Sequence, residues 1–439
     1  MMHRYFPHTD SDIAEMLKAV GLQKLDDLYA EVPEELKLSG ELKLPESKSE
    51  AEIRKIFEEL AAHNKPLTCF AGAGAYDHYT PSLIPYIASR SEFSTSYTPY
   101  QAEISQGTLM YIFEYQTLMA ELTGMEVSNA SMYDGSTATA EAMMMACAAS
   151  KKRNKVLMSA TLNPRVKDVV KTYAHFHGVD LEEVDAASNG LINREAISSK
   201  LSADDVAGLI VSQPNFFGLV EDFSGLADEC HAHKTLLIIN SPASTLGALK
   251  SPGEWGADIA CGDAQSLGLP LNYGGPYIGY LCTSNSLIRK MPGRIVGQTV
   301  DAEGKRTFVL TMQAREQHIR REKATSNICT SQGMMCLYVA AYLSLMGPKG
   351  LREVNDNSFK AAHYLCKKLL QTGRFKLVFD APFFNEFCLE YSGDVDGLIK
   401  KCAQEGVLAG VKIDDHKILI AATEKRTKEE MDHFVELTK

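Results

Sequence analysis

The chain has 439 residues and a formal net charge of −11, with 45 Lys and Arg residues interspersed among 56 Asp and Glu residues. This length accommodates one large α/β domain and a smaller one, and the acidic balance argues against binding to a nucleic-acid backbone or an anionic membrane surface. No apolar stretch approaches the roughly 18 residues that span a bilayer, and the ten cysteines lack paired spacing, so we expect a reduced, soluble, cytoplasmic protein without a metal site.

The first 65 residues predict an arm of surface-type helices. Thr9 has the character of a helix cap, and the apolar residues Ile13, Met16 and Leu17 follow it at helical spacing. A Pro- and Glu-rich connector leads to a second, charged helix around Ile53. Such an arm is typical of a segment that packs onto another body, either its own main domain or a partner.

Residues 89–107 are rich in hydroxyl and aromatic side chains and poor in aliphatic ones. A loop of this composition usually lines a polar site or an interface, because buried hydroxyl groups need hydrogen-bond partners. Its candidate site residues are Tyr97, Tyr100, Gln101 and Glu103.

A polar turn, residues 134–138, precedes a predicted helix with a Met-rich face. Backbone N–H groups and the positive end of a helix make such a turn suitable for holding a phosphate group. An ordinary cap is the alternative, since Ser136 or Thr137 would cap any helix.

Strands and helices alternate from Val156 onward. Short apolar runs predict strands at Val156–Met158, Val206–Ser212 and Leu236–Asn240, with helical patterns between them. This alternation predicts a mostly parallel sheet covered by helices on both faces. Functional side chains should then gather where the strands end.

The stretch 257–279 resembles the cofactor-anchoring segment of a fold-type-I pyridoxal-phosphate enzyme, with a short strand, a polar turn, a Pro- and Gly-rich loop and a second strand. Such an enzyme places a lysine in the polar turn, because only an amine can form the imine with the cofactor. No lysine lies between Lys250 and Lys290, and Gln265 occupies the expected position. We therefore expect no covalent cofactor on this chain.

A second chemical requirement fails at the end of the preceding strand. A pyridoxal enzyme of this fold needs a carboxylate there to keep the pyridine nitrogen protonated, but Asn240 and Ser241 stand at this corner. An independent pyridoxal enzyme anchored by Lys250 is a rival interpretation, although that lysine precedes the strand instead of following it.

The remaining chain predicts a basic segment followed by a separate lobe. Arg315, Arg320, Arg321 and Lys323 could receive a carboxylate or phosphate, or lie on a solvated helix. A long helical pattern breaks at Gly347 and is followed by a small α/β pattern. We assign residues 1–65 to the arm, 66–347 to the large domain and 348–439 to the small C-terminal domain.

Three long stretches resemble one family: TSYTPYQAEISQGTLMYIFEYQTLMAELTG (95–124), SMYDGSTATAEA (131–142) and REQHIRREKATSNICTSQ (315–332). They are similar to the glycine cleavage system P-protein, specifically its N-terminal half or the α subunit of its two-chain form. The resemblance implies a fold-type-I pyridoxal-transferase-like large domain and an αβ heterodimer paired into α2β2. It also implies that the β subunit carries pyridoxal phosphate, with Gln265 and Ser241 at the degenerate Schiff-base and pyridine-nitrogen positions.

The family's reaction is the decarboxylation of glycine with transfer of the aminomethyl group to the lipoylated H-protein. By this resemblance the chain alone is inactive, completes the dimer and lends residues to the partner's active site. The first candidates for lending are Tyr97, Tyr100, Gln101 and Glu103, and the second are Thr325, Ser326 and Asn327, for which turn capping is an equal explanation. A purely structural partner that contributes no active-site atom is the alternative.

Overall fold

The computed structural model describes residues 5, 7–38, 40, 42–150 and 152–439. The chain divides into two compact units, Met1–Lys65 and Pro66–Lys439. Residues 1–4, 6, 39 and 41 of the predicted arm lie outside the described residues. The further boundary at residue 347 stays a prediction.

The first unit contains two helices, α1 (Asp10–Ala19) and α2 (Glu50–Ala61). Each begins with a capping box. In α1 the Asp12 carboxylate accepts the backbone N–H of Thr9 at 2.6 Å, and the Thr9 hydroxyl accepts the N–H of Asp12. These reciprocal bonds satisfy N–H groups that have no partner inside the helix, which is why both helices begin at these residues.

The second unit holds the other helices and all the strands of the described chain. Its helices are α3 (Leu83–Ala88), α4 (Gln106–Thr123), α5 (Gly135–Ser150), α6 (Pro164–His177), α7 (Arg194–Leu201), α8 (Leu226–Ala232), α9 (Gln317–Arg320), α10 (Gly333–Gln371), α11 (Val395–Gln404) and α12 (Lys428–Leu437). Its strands are β1 (Thr68–Cys69), β2 (Val127–Ser128), β3 (Lys155–Ser159), β4 (Asp180–Val184), β5 (Val206–Ser212), β6 (Leu236–Asn240), β7 (Ile259–Asp263), β8 (Gly279–Thr283), β9 (Ile295–Val300), β10 (Arg306–Thr311), β11 (Phe375–Leu377), β12 (Glu386–Tyr391), β13 (Val407–Leu408), β14 (Val411–Lys412) and β15 (Lys417–Ala421).

The central sheet has seven strands in the order β2-β8-β7-β6-β5-β3-β4. The five strands from β7 to β4 are parallel, whereas β8 runs antiparallel to β7 and β2 runs antiparallel to β8. Every residue of β5 is buried, because separate apolar clusters cover the two faces of the sheet. The predicted mostly parallel α/β sheet is confirmed.

Helix α10 passes from one hydrophobic core to the next. It is broken at Gly347, whose φ of 60° and ψ of −179° are not helical, immediately before Pro348. Its first part packs in the core beneath the central sheet, and its second part packs against the four-stranded antiparallel sheet β11-β12-β15-β14. None of the helices in the described ranges is both long and apolar enough to cross a membrane.

Candidate functional site

A cavity of about 220 Å³ opens where β5, β6 and β7 end and helix α5 begins. Polar residues at these strand ends, Asn215, Asn240 and Asp263, line it, as does Glu386 from the start of β12. The position is the one expected for a ligand in an open α/β sheet, because the carboxyl ends of parallel strands meet at one edge. We call this cavity the strand-end cleft.

The first turn of α5 is occupied by carboxylates from the chain itself. The N–H of Gly135 donates to Asp263 Oδ2 at 3.0 Å, and the N–H of Thr137 donates to Asp134 Oδ1 at 2.7 Å. A Cβ atom at Gly135 would lie 2.7 Å from the backbone nitrogen of Asp263, so glycine permits this close approach. At the helix start, the chain's own carboxyl groups therefore accept from N–H donors that a bound phosphate would need.

Two carboxyl groups of the strand-end cleft have raised pKa values. Burial raises the pKa of Asp263 to about 7, despite the N–H groups of Gln265 and Gly135 that donate to it. Burial also raises the pKa of Glu386 to about 7, although Glu386 accepts the Ala73 N–H at 2.6 Å. Both groups therefore hold a proton for part of the time at neutral pH.

The Gln265 side chain makes three hydrogen bonds, all to the surrounding backbone. Its side chain is 1% exposed, its Oε1 accepts the N–H of Tyr76 at 2.9 Å, and its Nε2 donates to the carbonyls of Tyr76 at 3.1 Å and Leu269 at 2.8 Å. The amide thus fixes the segment around Tyr76, and all three bonds run to main-chain atoms. Buried amides are stable only when their donors and acceptors are satisfied in this way.

Ser241 lies in the tight corner after β6. Its N–H donates to the Cys261 carbonyl at 2.9 Å, and its own carbonyl accepts the Tyr280 hydroxyl at 2.9 Å. The Ser241 Oγ is buried and has no hydrogen-bond partner in the described part of the chain. The neighbouring Asn240 donates from Nδ2 to Thr139 Oγ1 at 2.7 Å. No carboxylate stands at this strand end.

The predicted loop with Tyr97, Tyr100, Gln101 and Glu103 lies at the surface. Tyr97 is 91% exposed and Tyr100 is 52% exposed. The Tyr100 hydroxyl accepts a hydrogen bond from Arg294 Nη2 at 3.2 Å. The rings of Tyr100 and His318 pack edge to face, with their centroids 5.8 Å apart. The side chains of Gln101 and Glu103 are exposed as well.

The second predicted group, Thr325, Ser326 and Asn327, lies at one cavity. Ser326 donates from its hydroxyl to Glu141 Oε1 at 2.6 Å, within the same chain, and burial raises the pKa of Glu141. All three residues line one separate cavity of about 220 Å³, together with Glu141, Tyr173 and other residues of α5 and α6. Ser326 is therefore engaged internally, whereas Asn327 is exposed.

A family model for the glycine cleavage system P-protein matches residues 3–438 of the chain. The chain belongs to this family. It is 45% identical over 444 residues to a protein of Anoxybacillus flavithermus named "Probable glycine dehydrogenase (decarboxylating) subunit 1", covering 99% of this chain and 98% of that one. A relative of the same name from Moorella thermoacetica is 46% identical, with 98% of each chain covered.

Solved structures agree with the family. A crystal structure of glycine decarboxylase (P-protein) of the glycine cleavage system, in inhibitor-bound form, superposes with a TM-score of 0.91 at 40% identity over 99% of both chains. A sphingosine-1-phosphate lyase from Burkholderia pseudomallei superposes with a TM-score of 0.67 at 13% identity over 93% of both chains, a likeness of fold alone. The fold is the fold-type-I pyridoxal-transferase-like fold.

Three residues at or near these sites were not predicted from the sequence. Asp263 and Glu386 line the strand-end cleft, and Arg294 contacts Tyr100. Asp263 could have been found, since it lies in the polar turn two residues before Gln265; the structure places it at the end of β7. Lys250, the rival cofactor anchor, is exposed, and its Nζ lies 3.9 Å from the centroid of the Trp255 ring. It does not line the cleft.

Proposed function

We propose that this chain is the α subunit of a two-chain glycine dehydrogenase (decarboxylating) of the glycine cleavage system, and that the β subunit supplies the pyridoxal phosphate. The family is an enzyme family, and its overall reaction depends on that cofactor. The observation that best supports the division of labour is the strand-end cleft, in which the chain's own polar groups take the places that a cofactor would need.

The residues present do not fit pyridoxal phosphate. Gln265 carries an amide, which cannot form an imine, and its three hydrogen bonds already run to the backbone. Two first-turn donors of α5, the N–H groups of Gly135 and Thr137, meet the Asp263 and Asp134 carboxyl groups, and ionised carboxylates would repel a phosphate dianion. Ser241 offers no negative charge to a pyridinium nitrogen. We therefore assign no chemical step to this cleft.

The proposed role is to complete the heterodimer and lend side chains to the partner's active site. Tyr97, Tyr100, Gln101 and Glu103 support this role because they project aromatic surface, hydroxyl groups, an amide and a carboxylate from one exposed loop. Large exposed aromatic side chains that carry a polar tip are typical of interfaces, since their rings gain from burial while their hydroxyls still bond.

The segment with Thr325, Ser326 and Asn327 is the second proposed contribution. The Ser326 proton is directed to Glu141, so the Ser326 oxygen can only accept a further hydrogen bond. Asn327 is exposed and lines the adjoining cavity. Within this proposal, the complex is α2β2 and cytoplasmic, acts on glycine, and passes the aminomethyl group to the lipoylated H-protein.

The proposal is tested by measuring glycine-dependent carbon dioxide exchange with this chain alone, the β chain alone and the mixture. We expect exchange only in the mixture. Tyr97→Phe and Tyr100→Phe should each lower exchange about tenfold if the hydroxyl bonds a reacting group, a typical loss for one hydrogen bond.

The matched control is Tyr364→Phe, since the Tyr364 hydroxyl bonds Asp432 in the C-terminal lobe. We expect it to leave exchange unchanged. Full exchange in the Tyr97 and Tyr100 variants, with the heterodimer intact by gel filtration, would instead identify a purely structural partner.

A further inference from the structure

A buried arginine joins the two segments that we propose are lent to the partner. Arg294 immediately precedes β9 and is 5% exposed. Its Nη2 donates to the Tyr100 hydroxyl at 3.2 Å and also to the carbonyl of Cys329. One guanidinium therefore contacts the loop that carries Tyr100 and the segment that follows Asn327.

Acidic and aromatic neighbours surround this guanidinium. Arg294 Nε lies 3.8 Å from Glu316 Oε2, and His318 Nδ1 lies 3.5 Å from the same oxygen. The guanidinium carbon is 5.4 Å from the centroid of the Tyr100 ring. Removing one partner from such a buried ion pair leaves an uncompensated charge, so the pair holds its surroundings in one arrangement.

The geometry of this cluster does not suit a metabolite. Arg294, Arg315 and Glu316 border a cavity of only about 10 Å³, which is the room for about one water molecule. The Arg315 guanidinium is engaged with the backbone carbonyls of Met291 and Gly293. The charged groups of this cluster therefore bond other groups of the same chain, and the cavity has no room for a metabolite.

The direction of the Arg294–Tyr100 hydrogen bond has a chemical consequence. A guanidinium has donors and no acceptor, so the Tyr100 oxygen must accept from it. The Tyr100 hydroxyl proton must then point away from Arg294, and the side chain is half exposed. The Tyr100 hydroxyl thus keeps its proton for an acceptor other than Arg294.

We infer that Arg294 is a positioning residue for the composite active site: it fixes the Tyr100 ring and aims the Tyr100 hydroxyl proton at the partner subunit's site. The inference rests on the proposed function, in which Tyr100 is lent across the interface. Arg294 acts through Tyr100 and touches no reacting atom.

A double-mutant cycle in the assembled complex tests the inference, with kcat and KM for glycine measured in the exchange reaction. Arg294→Met should lower kcat about tenfold with a smaller change in KM, a loss comparable to that of Tyr100→Phe. In the Tyr100→Phe background the same arginine substitution should cost less than about threefold, because both changes remove one interaction. Arg294→Lys, which keeps the charge and a donor, should recover part of kcat and provides the same cycle if Arg294→Met does not assemble.

The matched control is Arg315→Met, which removes a neighbouring guanidinium that bonds backbone carbonyls. Its fold-change in kcat should multiply with that of Tyr100→Phe.

Multiplicative effects of Arg294→Met and Tyr100→Phe on kcat would overturn the inference, as would an unchanged kcat in an intact Arg294→Met complex. If Tyr100→Phe alone leaves kcat unchanged, the lending role of Tyr100 fails, and this inference fails with it. If Tyr100→Phe lowers kcat but Arg294→Met leaves it unchanged, only the inference about Arg294 is overturned.

Discussion

The strand-end cleft and the loop that carries Tyr97 to Glu103 handle their polar groups in opposite ways. Asp263 and Glu386 in the cleft, and Gln265 two residues after Asp263, all bond atoms of the same chain. In the loop, Tyr97 is 91% exposed, and Gln101 and Glu103 also face solvent. The polar groups of the first region are buried and bonded within the chain, whereas Tyr97, Gln101 and Glu103 in the second region are exposed to solvent.

The difference indicates which region serves the fold and which serves a partner. A buried polar group without a bond is costly, so under the proposed function a cleft without a cofactor must satisfy its own donors and acceptors. Exposed aromatic side chains contribute little to a lone chain but can contribute much to an interface. Changes in the cleft should therefore affect stability, and changes in the loop should affect activity of the complex.

The largest loss of stability is expected for Gln265→Ala. This substitution leaves the Tyr76 N–H and the carbonyls of Tyr76 and Leu269 without their partner in a buried site. We expect the free energy of unfolding to fall by about 3–5 kcal/mol, from lost bonds and a cavity. Chemical denaturation of the lone chain measures it. The matched control is Gln101→Ala, an exposed position, and equal effects of the two variants would contradict the assignment of the cleft to the fold.

A somewhat smaller loss is expected for Gly135→Ala. The added Cβ would lie 2.7 Å from the Asp263 nitrogen and 2.9 Å from the Gly262 carbonyl carbon, so the contact between α5 and β7 must open. We expect a loss of about 1–3 kcal/mol, as for other overpacked sites. Gly107→Ala is the control, because its Cβ would meet nothing within 4 Å at the start of α4. That control should be neutral or slightly stabilising, and a neutral Gly135→Ala would argue against tight closure of the cleft.

The pH dependence of stability isolates the two buried carboxyl groups. Asp263 has an ordinary pKa of 3.8 and Glu386 of 4.5, and both are raised to about 7 in the folded chain. Between these values the folded state binds more protons than the unfolded state, so the free energy of unfolding falls as the pH rises from about 4 to about 7. Each group should contribute roughly 3–4 kcal/mol of this fall.

Asp263→Asn and Glu386→Gln should each flatten that profile, because neither amide ionises. Denaturation midpoints at pH 5 and pH 8 measure the change, with Glu103→Gln as the exposed control. A variant whose stability falls between these pH values as steeply as that of the unmodified chain would show that the group is not the source of the dependence.

The smallest effect on stability is expected for Tyr97→Ala. The side chain is 91% exposed, so the free energy of unfolding should change by less than about 0.5 kcal/mol. Assembly with the β chain or exchange activity should nevertheless weaken, because the aromatic surface is lost. Titration calorimetry with the β chain measures the effect on assembly. Unchanged assembly and unchanged exchange would remove Tyr97 from the interface.

Much of the fold could be predicted from local patterns. Strands β5 and β6 match their predicted bounds because each is a short apolar run between turn residues. Strand β4 and the hairpin of β9 and β10 were missed. In these segments apolar and polar residues do not alternate regularly, so the period of two that marks a half-buried strand is lacking.

The site could be predicted only where its chemistry is local. The sequence alone shows that position 265 cannot form an imine, because imine formation requires an amine and the residue there is Gln265. The contacts of Glu386 with Tyr76, 310 positions away, and of Arg294 with Tyr100, 194 positions away, depend on tertiary packing. The sequence near either residue gives no sign of its partner.

The central claim is that this chain has no working cofactor site and that the β subunit holds the cofactor. The most direct test is a spectrophotometric titration of pyridoxal phosphate into this chain alone and into its mixture with the β chain. We predict an aldimine absorption band only in the mixture, and none in the lone chain even after Gln265→Lys, because the α5 donors remain paired with Asp263 and Asp134. An aldimine band in the unmodified lone chain would contradict the account.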